Sequence, residues 1–358
     1  MLTPVLHARY LMNHSKINLL GLNLPQIKEF VKNNGLENFR AKQICDWIYK
    51  KNAGSFDEMT NLSKDLREQL KTISQIGKLE LVKMSSSGSR SEHKGGRVVK
   101  YLFKLSDGAK IESVKIGDTI CVSTQAGCPM GCKFCATGGM GFKRNLTVPE
   151  ILDQIIQIKK EIEGSPNVVF MGMGEPLLNY GNLMSAIWIM NSPDCMNIGA
   201  RRITISTCGL PAEIRKLANE NIQINLSVSL NAANDALRTV IMPVNRKHSL
   251  ESLMAAVDQY ISRTNRRVSF EYIMIMGVND TIKDAKDLSN ILKDMLCHVN
   301  LISFNPYDES DYMPSTPQRI QFFRNMLVRS GTNATIRKSA GGDINAACGQ
   351  LACPERGA

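Results

Sequence analysis

Apolar residues recur at helical spacing through the first part of the chain. Leu24-Pro25 opens one such run, which continues through Ile27, Phe30 and Val31 and stops at Asn33-Asn34-Gly35. A second follows through Ala41, Ile44, Trp47 and Ile48 before Gly54, and a third from Leu62-Ser63 through Leu66 and Leu70. Three short helices in this stretch predict a small bundle. Residues 85–97, SSSGSRSEHKGGR, break the pattern and read as a flexible or partner-ordered loop. The period then changes to two. Residues 98–105 and 109–116 flank Ser106-Asp107-Gly108, which predicts a hairpin, and residues 119–124 predict a further strand.

Beyond residue 124 the pattern repeats as strand, loop, helix. β-rich runs fall at 168–171, 202–206, 224–230, 268–274, 299–304 and 334–336. The clearest helix between them starts at a capping box, Thr147-Val148-Pro149-Glu150, and carries Ile151, Leu152, Ile155, Ile156 and Ile162 on one face. Strands alternating with helices predict a parallel sheet. Six or seven such units predict an α/β fold closed into a full or partial barrel, whose chemistry sits on loops after the strands.

A chain of 358 residues accommodates such a barrel plus a smaller domain. Hydrophobic residues at 43% exclude a disordered chain, and no apolar run approaches the ~18 residues that span a bilayer. His7, Arg9, His14 and Lys16 interrupt any signal-peptide core, so a soluble, unexported protein is expected, starting at Met1 or Met12. The net charge is +11, and residues 1–104 hold 18 basic against 9 acidic residues. This excess suits a polyanionic partner; a solvated basic surface is the plain alternative.

The ten cysteines show no secreted disulfide framework. Cys128, Cys132 and Cys135 form a CxxxCxxC group directly after the strand at 119–124. Three thiolates on one loop can ligate three irons of a 4Fe-4S cluster and leave the fourth open to a chelating ligand. A structural zinc site takes four ligands, and no fourth stands at a suitable local spacing. Buried small hydrophobes are the remaining reading.

This group, with Phe134 inside it and a barrel around it, resembles the radical S-adenosylmethionine (SAM) superfamily. There the open iron chelates SAM, and an electron from the cluster cleaves it to a 5′-deoxyadenosyl radical. Phe170-Met171-Gly172-Met173-Gly174-Glu175-Pro176 is similar to that superfamily's glycine-glutamate segment, in which Gly174 allows close backbone approach and Glu175 accepts from the SAM ammonium. Ser206-Thr207, Ser229-Leu230-Asn231 and Asn305-Pro306 stand at other strand ends. Singly they are ordinary turn or cap residues; together they fit a ribose, adenine and carboxylate cradle.

Two more cysteines narrow the resemblance. Cys121, in Ile120-Cys121-Val122-Ser123, and Cys348, in Ala346-Ala347-Cys348-Gly349-Gln350, resemble the RlmN family of radical SAM RNA methyltransferases from about Leu19 to Leu351. Asn197-Ile198-Gly199-Ala200-Arg201 and Met242-Pro243-Val244-Asn245-Arg246 match as well. The resemblance implies methylation of adenine carbon 2, at adenine 2503 of 23S ribosomal RNA and adenine 37 of tRNA, with two SAM per turnover. It implies that Cys348 carries the methyl group into a transient protein–RNA adduct. It makes Cys121 the resolving cysteine, through a disulfide with Cys348, and Glu112 the proton acceptor. It also implies a cytoplasmic monomer supplied with electrons by a flavodoxin or ferredoxin. Where the family usually has histidine after Ser-Leu, this chain has Asn231, and the link from Glu112 to Cys121 is short. Cys45, Cys195, Cys208, Cys297 and Cys353 receive no role.

The expected organisation is a helical RNA-binding domain with a basic linker (1–90), a β-hairpin extension (91–118), a partial (β/α)6-type barrel (119–340) and a C-terminal segment bearing Cys348 (341–358). The same cysteines serve a sister activity at adenine carbon 8, of the Cfr type, which confers antibiotic resistance. A non-catalytic RNA-binding iron-sulfur protein and an activase that makes a radical on a partner protein are rivals of other classes.

Overall fold

The computed structural model describes residues 16–77, 79–90 and 96–353. Met1, His7, Arg9, Met12 and His14 lie outside these, as do residues 91–95 of the polar loop and the last five of the C-terminal segment.

The N-terminal bundle is built from α1 (Leu24–Asn33), α2 (Phe39–Tyr49) and α3 (Lys64–Ile73). Asn23 and Gln26 cap α1 reciprocally, with Asn23 Oδ1 accepting from Gln26 N at 3.0 Å and Gln26 Oε1 from Asn23 N at 2.9 Å. Its buried face, Leu24, Ile27, Phe30 and Val31, meets Ala41, Ile44, Cys45 and Ile48 of α2. A parallel pair, β1 (Ile17–Asn18) with β2 (Ser74–Gln75), ties the two ends of the bundle together.

The bundle is fastened to the rest of the molecule. Gly21, at φ +103°, lies so close to Pro149 that a Cβ would fall 2.9 Å from its Cδ. On the neighbouring contact Cys45 Sγ lies 3.6 Å from Cys195 Sγ, and Lys42 Nζ 3.4 Å from Asp194.

Among the described residues the main sheet has ten strands. β3 (Glu80–Arg90), β4 (Arg97–Lys104) and β5 (Lys110–Ile116) form an antiparallel meander. It joins β6 (Thr119–Cys121), which pairs on its other side, in parallel, with β9 (Asn167–Phe170). β10 (Ile203–Thr207), β11 (Asn225–Ser229), β12 (Val268–Met274), β13 (Cys297–Ser303) and β14 (Ala334–Arg337) continue in parallel to an open edge. The result is a partial barrel with a meander on its first strand. A separate ribbon, β7 (Gln125–Gly127) with β8 (Phe142–Asn145), supports the cysteine loop.

Helices α5 (Val148–Lys159), α6 (Tyr180–Asn191), α7 (Pro211–Leu217), α8 (Asp235–Ile241), α9 (Leu250–Thr264), α10 (Ile282–Ile291) and α11 (Pro317–Arg329) make the crossovers, and the short α4 (Ala136–Gly139) follows the cysteines. Among the described residues no helix is long and apolar enough to cross a membrane.

Strand periodicity sorts the two faces. Val228, Phe270 and Val299 are buried completely, whereas their neighbours Ser227, Glu271 and Asn300 are bonded to each other inside the barrel. Ser227 Oγ donates to Glu271 Oε1 at 2.7 Å, and Asn300 Nδ2 donates to the same oxygen at 3.0 Å. A polar cavity of about 580 Å³ opens at the N-terminal ends of these strands.

The expected barrel strands fall within a few residues of those observed. Two readings change. Residues 85–90 do not form a loop: they are the end of β3, held by main-chain pairing to β4, which a run of small polar residues does not announce. Residues 119–124 are not one strand: β6 ends at Cys121, and Val122 to Thr124 lead into the ribbon.

Candidate active site

The cysteine loop is shaped by its own backbone. Cys128 N donates to Gly141 O at 2.9 Å, closing the base, and Cys135 N donates to Cys132 O at 3.3 Å, closing the tip. Gly138 sits against this turn, where a Cβ would fall 2.7 Å from Cys132 O. Lys133 N donates to Ile241 O at 2.9 Å, and Ala136 N donates to Gly349 O at 2.7 Å, so α8 and the C-terminal segment hold the loop from two sides.

Cys128, Cys132 and Cys135 line one cavity, with Glu175, Ser206 and Ser229 across from them. Burial pushes the Cys128 thiol up to about 12 and raises Cys132 and Cys135 as well. Among the described residues no three ligand-type side chains converge on a single ion. The set fits a cluster instead: three sulfurs around a shared space, with no oxygen or imidazole ligand among them and an open side.

Gly172 and Gly174 are required by packing against this same chain. A Cβ on Gly172 would lie 2.7 Å from Ser123 Oγ, and one on Gly174, at φ +100°, 2.5 Å from Gln125 Cβ. Glu175 is buried, and burial raises its pKa. Its carboxylate accepts from Leu177 N at 3.0 Å, from Cys208 N at 2.8 Å and from Cys208 Sγ at 2.9 Å.

The other cradle candidates divide. Ser206 and Ser229 face the cavity. Leu230 and Asn231 lie beneath it, buried completely. Asn231, at φ +60°, accepts from Ile273 N at 2.9 Å through its side chain and from Asn279 Nδ2 through its carbonyl, so it locks the end of β11. Asn305 turns to the C-terminal segment, where Nδ2 donates to Cys348 O at 3.1 Å.

Cys348 belongs to two cavities. On one side are the three loop cysteines and Glu175; on the other are Cys121, Val114 and Thr137, and Cys135 lines both. Arg337 lines both, 4.0 Å from Glu271. Cys121 and Cys348 are free thiols here, and burial pushes Cys121 up to about 12. Glu112 is held apart from both cavities. Its Oε1 is 3.0 Å from Lys100 Nζ, while Oε2 accepts from Ala352 N at 3.0 Å and Cys353 N at 3.3 Å. Lys100 also donates to Asn345 O at 3.1 Å, and Asp343 accepts from Ser87 Oγ at 2.8 Å. The segment that carries Cys348 is thus clasped by the meander.

The N-terminal region matches the ribosomal RNA large subunit methyltransferase N-terminal domain over residues 17–76, and residues 122–289 match the radical SAM superfamily. A probable dual-specificity RNA methyltransferase RlmN from Clostridium perfringens is 47% identical, over 93% of this chain and 96% of that one. The chain belongs to the RlmN family of radical SAM methyltransferases. The RlmN protein of Staphylococcus carnosus is 43% identical over 97% of this chain and 96% of its own. The crystal structure of a radical SAM methyltransferase from Sphaerobacter thermophilus superposes with a TM-score of 0.90, at 41% identity, covering 94% of this chain and all of that one. The RlmN-type fold expected from the sequence is therefore the one observed.

Lys100, Cys208, Arg238 and Arg337 were not singled out by sequence. Arg337 had a signal: it directly follows the run at 334–336, where the strand-end rule points. Cys208 follows Ser206-Thr207 for the same reason. Lys100 and Arg238 had none, because each is defined by partners distant in sequence or by burial.

Proposed function

We propose that the protein methylates carbon 2 of adenine in RNA, at adenine 2503 of 23S ribosomal RNA and adenine 37 of tRNA, with Cys348 as the methyl carrier. The position of Cys348 between two cavities carries this reading. One cavity holds the residues for a cluster and SAM; the other holds the thiol that would release the product. Relatives described as dual-specificity RNA methyltransferases support RNA of two kinds as substrate.

Cys128, Cys132 and Cys135 would hold the cluster, and Gly174, Glu175, Ser206 and Ser229 would face SAM. When bound, the 4Fe-4S cluster supplies an electron, and two SAM molecules per turnover supply a methyl group and a hydrogen-abstracting radical. Adenine carbon 2 is electron-poor and its hydrogen is not acidic, so ordinary methyl transfer to a nucleophile fails there. Cys348 first accepts the methyl group on sulfur. Loss of one hydrogen atom from that methyl leaves a carbon radical that bonds to the ring; the adduct then gives one electron back to the redox couple that supplied it, and the ring gives up its proton. Cys121 thiolate attacks the Cys348 sulfur; the S–S bond forms, the S–C bond breaks with its electron pair on the carbon, and a proton taken up there completes the methyl group on the RNA. Glu112 takes the role of proton acceptor once the 352–353 backbone has left its carboxylate. A flavodoxin or ferredoxin as electron donor, a monomeric state and a cytoplasmic location complete the reading.

Mass analysis of RNA from cells with and without this gene tests it. Loss of 2-methyladenosine on deletion is expected; loss of 8-methyladenosine alone, or of neither, overturns it.

A further inference from the structure

Arg238 is the largest fully buried side chain described, at 0% exposure. Its guanidinium is spent on neutral acceptors. Nε donates to Leu230 O at 3.1 Å, Nη2 to Cys208 O at 2.6 Å, and Nη1 to Asn245 Oδ1 at 2.8 Å. Among the described residues no carboxylate lies within 4.0 Å of it. Asp235 is reached only through Asn245, whose Nδ2 donates to it at 2.8 Å, and Asp235 is exposed to water. Glu175 stands on the far side of Cys208, bonded to its N–H and thiol.

A buried cation surrounded by dipoles alone is costly, and the usual resolution is an anion nearby. Arginine cannot shed its proton to escape this cost. The place where an anion belongs is next to it. Cys208, whose carbonyl it binds, lines the cavity of the three loop cysteines, and the helix that carries Arg238 accepts from Lys133 N at the centre of that loop. Three thiolates outweigh the positive charge of a 4Fe-4S core, so the loaded cluster is anionic and becomes more so on reduction.

We propose that Arg238 is the counter-charge of the cluster and that it favours the reduced state. The inference rests on the reading that Cys128, Cys132 and Cys135 hold a 4Fe-4S cluster. Arg238 touches neither substrate nor reacting atoms; it is a positioning residue acting through charge. The Lys100 and Arg337 cations differ from it, since each already has a carboxylate partner.

The test uses the full chain, reconstituted anaerobically without RNA, and reads the midpoint potential of the cluster. Arg238→Gln keeps hydrogen-bond donors but removes the charge, so reduction should become at least tenfold less favourable, about 59 mV for a one-electron couple. Arg238→Lys keeps a charge that can titrate. Its potential should stay near that of the parent at neutral pH and fall as pH rises, because reduction then takes up a proton, whereas the parent's should not vary with any titration at this position. Coincident potentials in the parent and the Gln variant overturn the proposal. Arg238→Met removes charge and donors together and should lower the potential as far; a Met variant that matches the parent overturns the proposal as well, and that readout stands alone if the Gln protein does not fold. If the parent chain assembles no cluster, the cluster reading itself fails and takes this inference with it; an assembled cluster with an unmoved potential defeats the counter-charge alone.

Discussion

Cys348 and Cys121 share a cavity but occupy it on different terms. Cys348 also lines the cavity of Cys128, Cys132 and Glu175, and Cys121 does not. Cys348→Ala should therefore abolish methylation of both protein and RNA while leaving the cluster spectrum intact. Cys121→Ala should accept the methyl group, react with RNA and stall, leaving a denaturation-resistant protein–RNA adduct that maps to Cys348. Normal turnover by Cys121→Ala would remove it from the mechanism. A second prediction concerns Arg144, which pairs with Glu150 through two bonds of 2.8 Å and with Asp107 at 2.6 Å. The Arg144 bond holds Asp107 down from 3.8 to about 2. A depressed carboxylate stabilises the fold above its unfolded pKa and loses that contribution as pH falls from 3.8 through about 2. The melting-temperature gap between the parent and Arg144→Gln should be widest near neutral pH and close below that window. The loop cysteines were legible because their meaning lies in local spacing. Asn305 was legible only as a residue at a strand end; that it holds Cys348 O, 43 positions away, is fixed by tertiary contact.

At the scale of elements, the meander is part of the site's architecture. β3, β4 and β5 supply Ser87, Lys100 and Glu112, and all three grip the C-terminal segment. Lys100→Met should leave the Glu112 carboxylate buried without its cation, costing about 3 kcal/mol. Faster hydrogen exchange at Ala352 and Cys353 than in the parent is the diagnostic; unchanged exchange would mean that the two backbone bonds suffice. The capping box of α5 and the hairpin turn were readable because each is a short-range pattern. β3 was not. Its outer half is Ser85, Ser86, Ser87 and Gly88, whose composition is that of a loop, and its structure comes from pairing with Lys100, Val99 and their neighbours.

On the whole molecule, charge and fold are partitioned differently. Most of the excess positive charge precedes residue 105, yet that stretch includes β3 and β4, strands of the main sheet. Removing residues 1–90 would cut into the sheet, so exposed lysines of the helical bundle are the better test. Replacing Lys28, Lys32 and Lys64 by glutamine should weaken RNA binding and flatten its salt dependence by roughly one unit per lost phosphate contact. An unchanged slope would make the basic surface ordinary solvated surface. The barrel was legible at this scale because strand and helix alternate with a regular rhythm; the docking of the bundle through Gly21 on Pro149 and Cys45 beside Cys195 was not, since neither contact has a local signature. The clasp between Ser87 and Asp343 joins positions 256 apart. A ribosome delivers the meander and barrel first and the Cys348 segment afterwards. The bond from Ala136 N to Gly349 O is a second late contact, so the cysteine loop gains its last backbone partner only when almost the whole chain has been made.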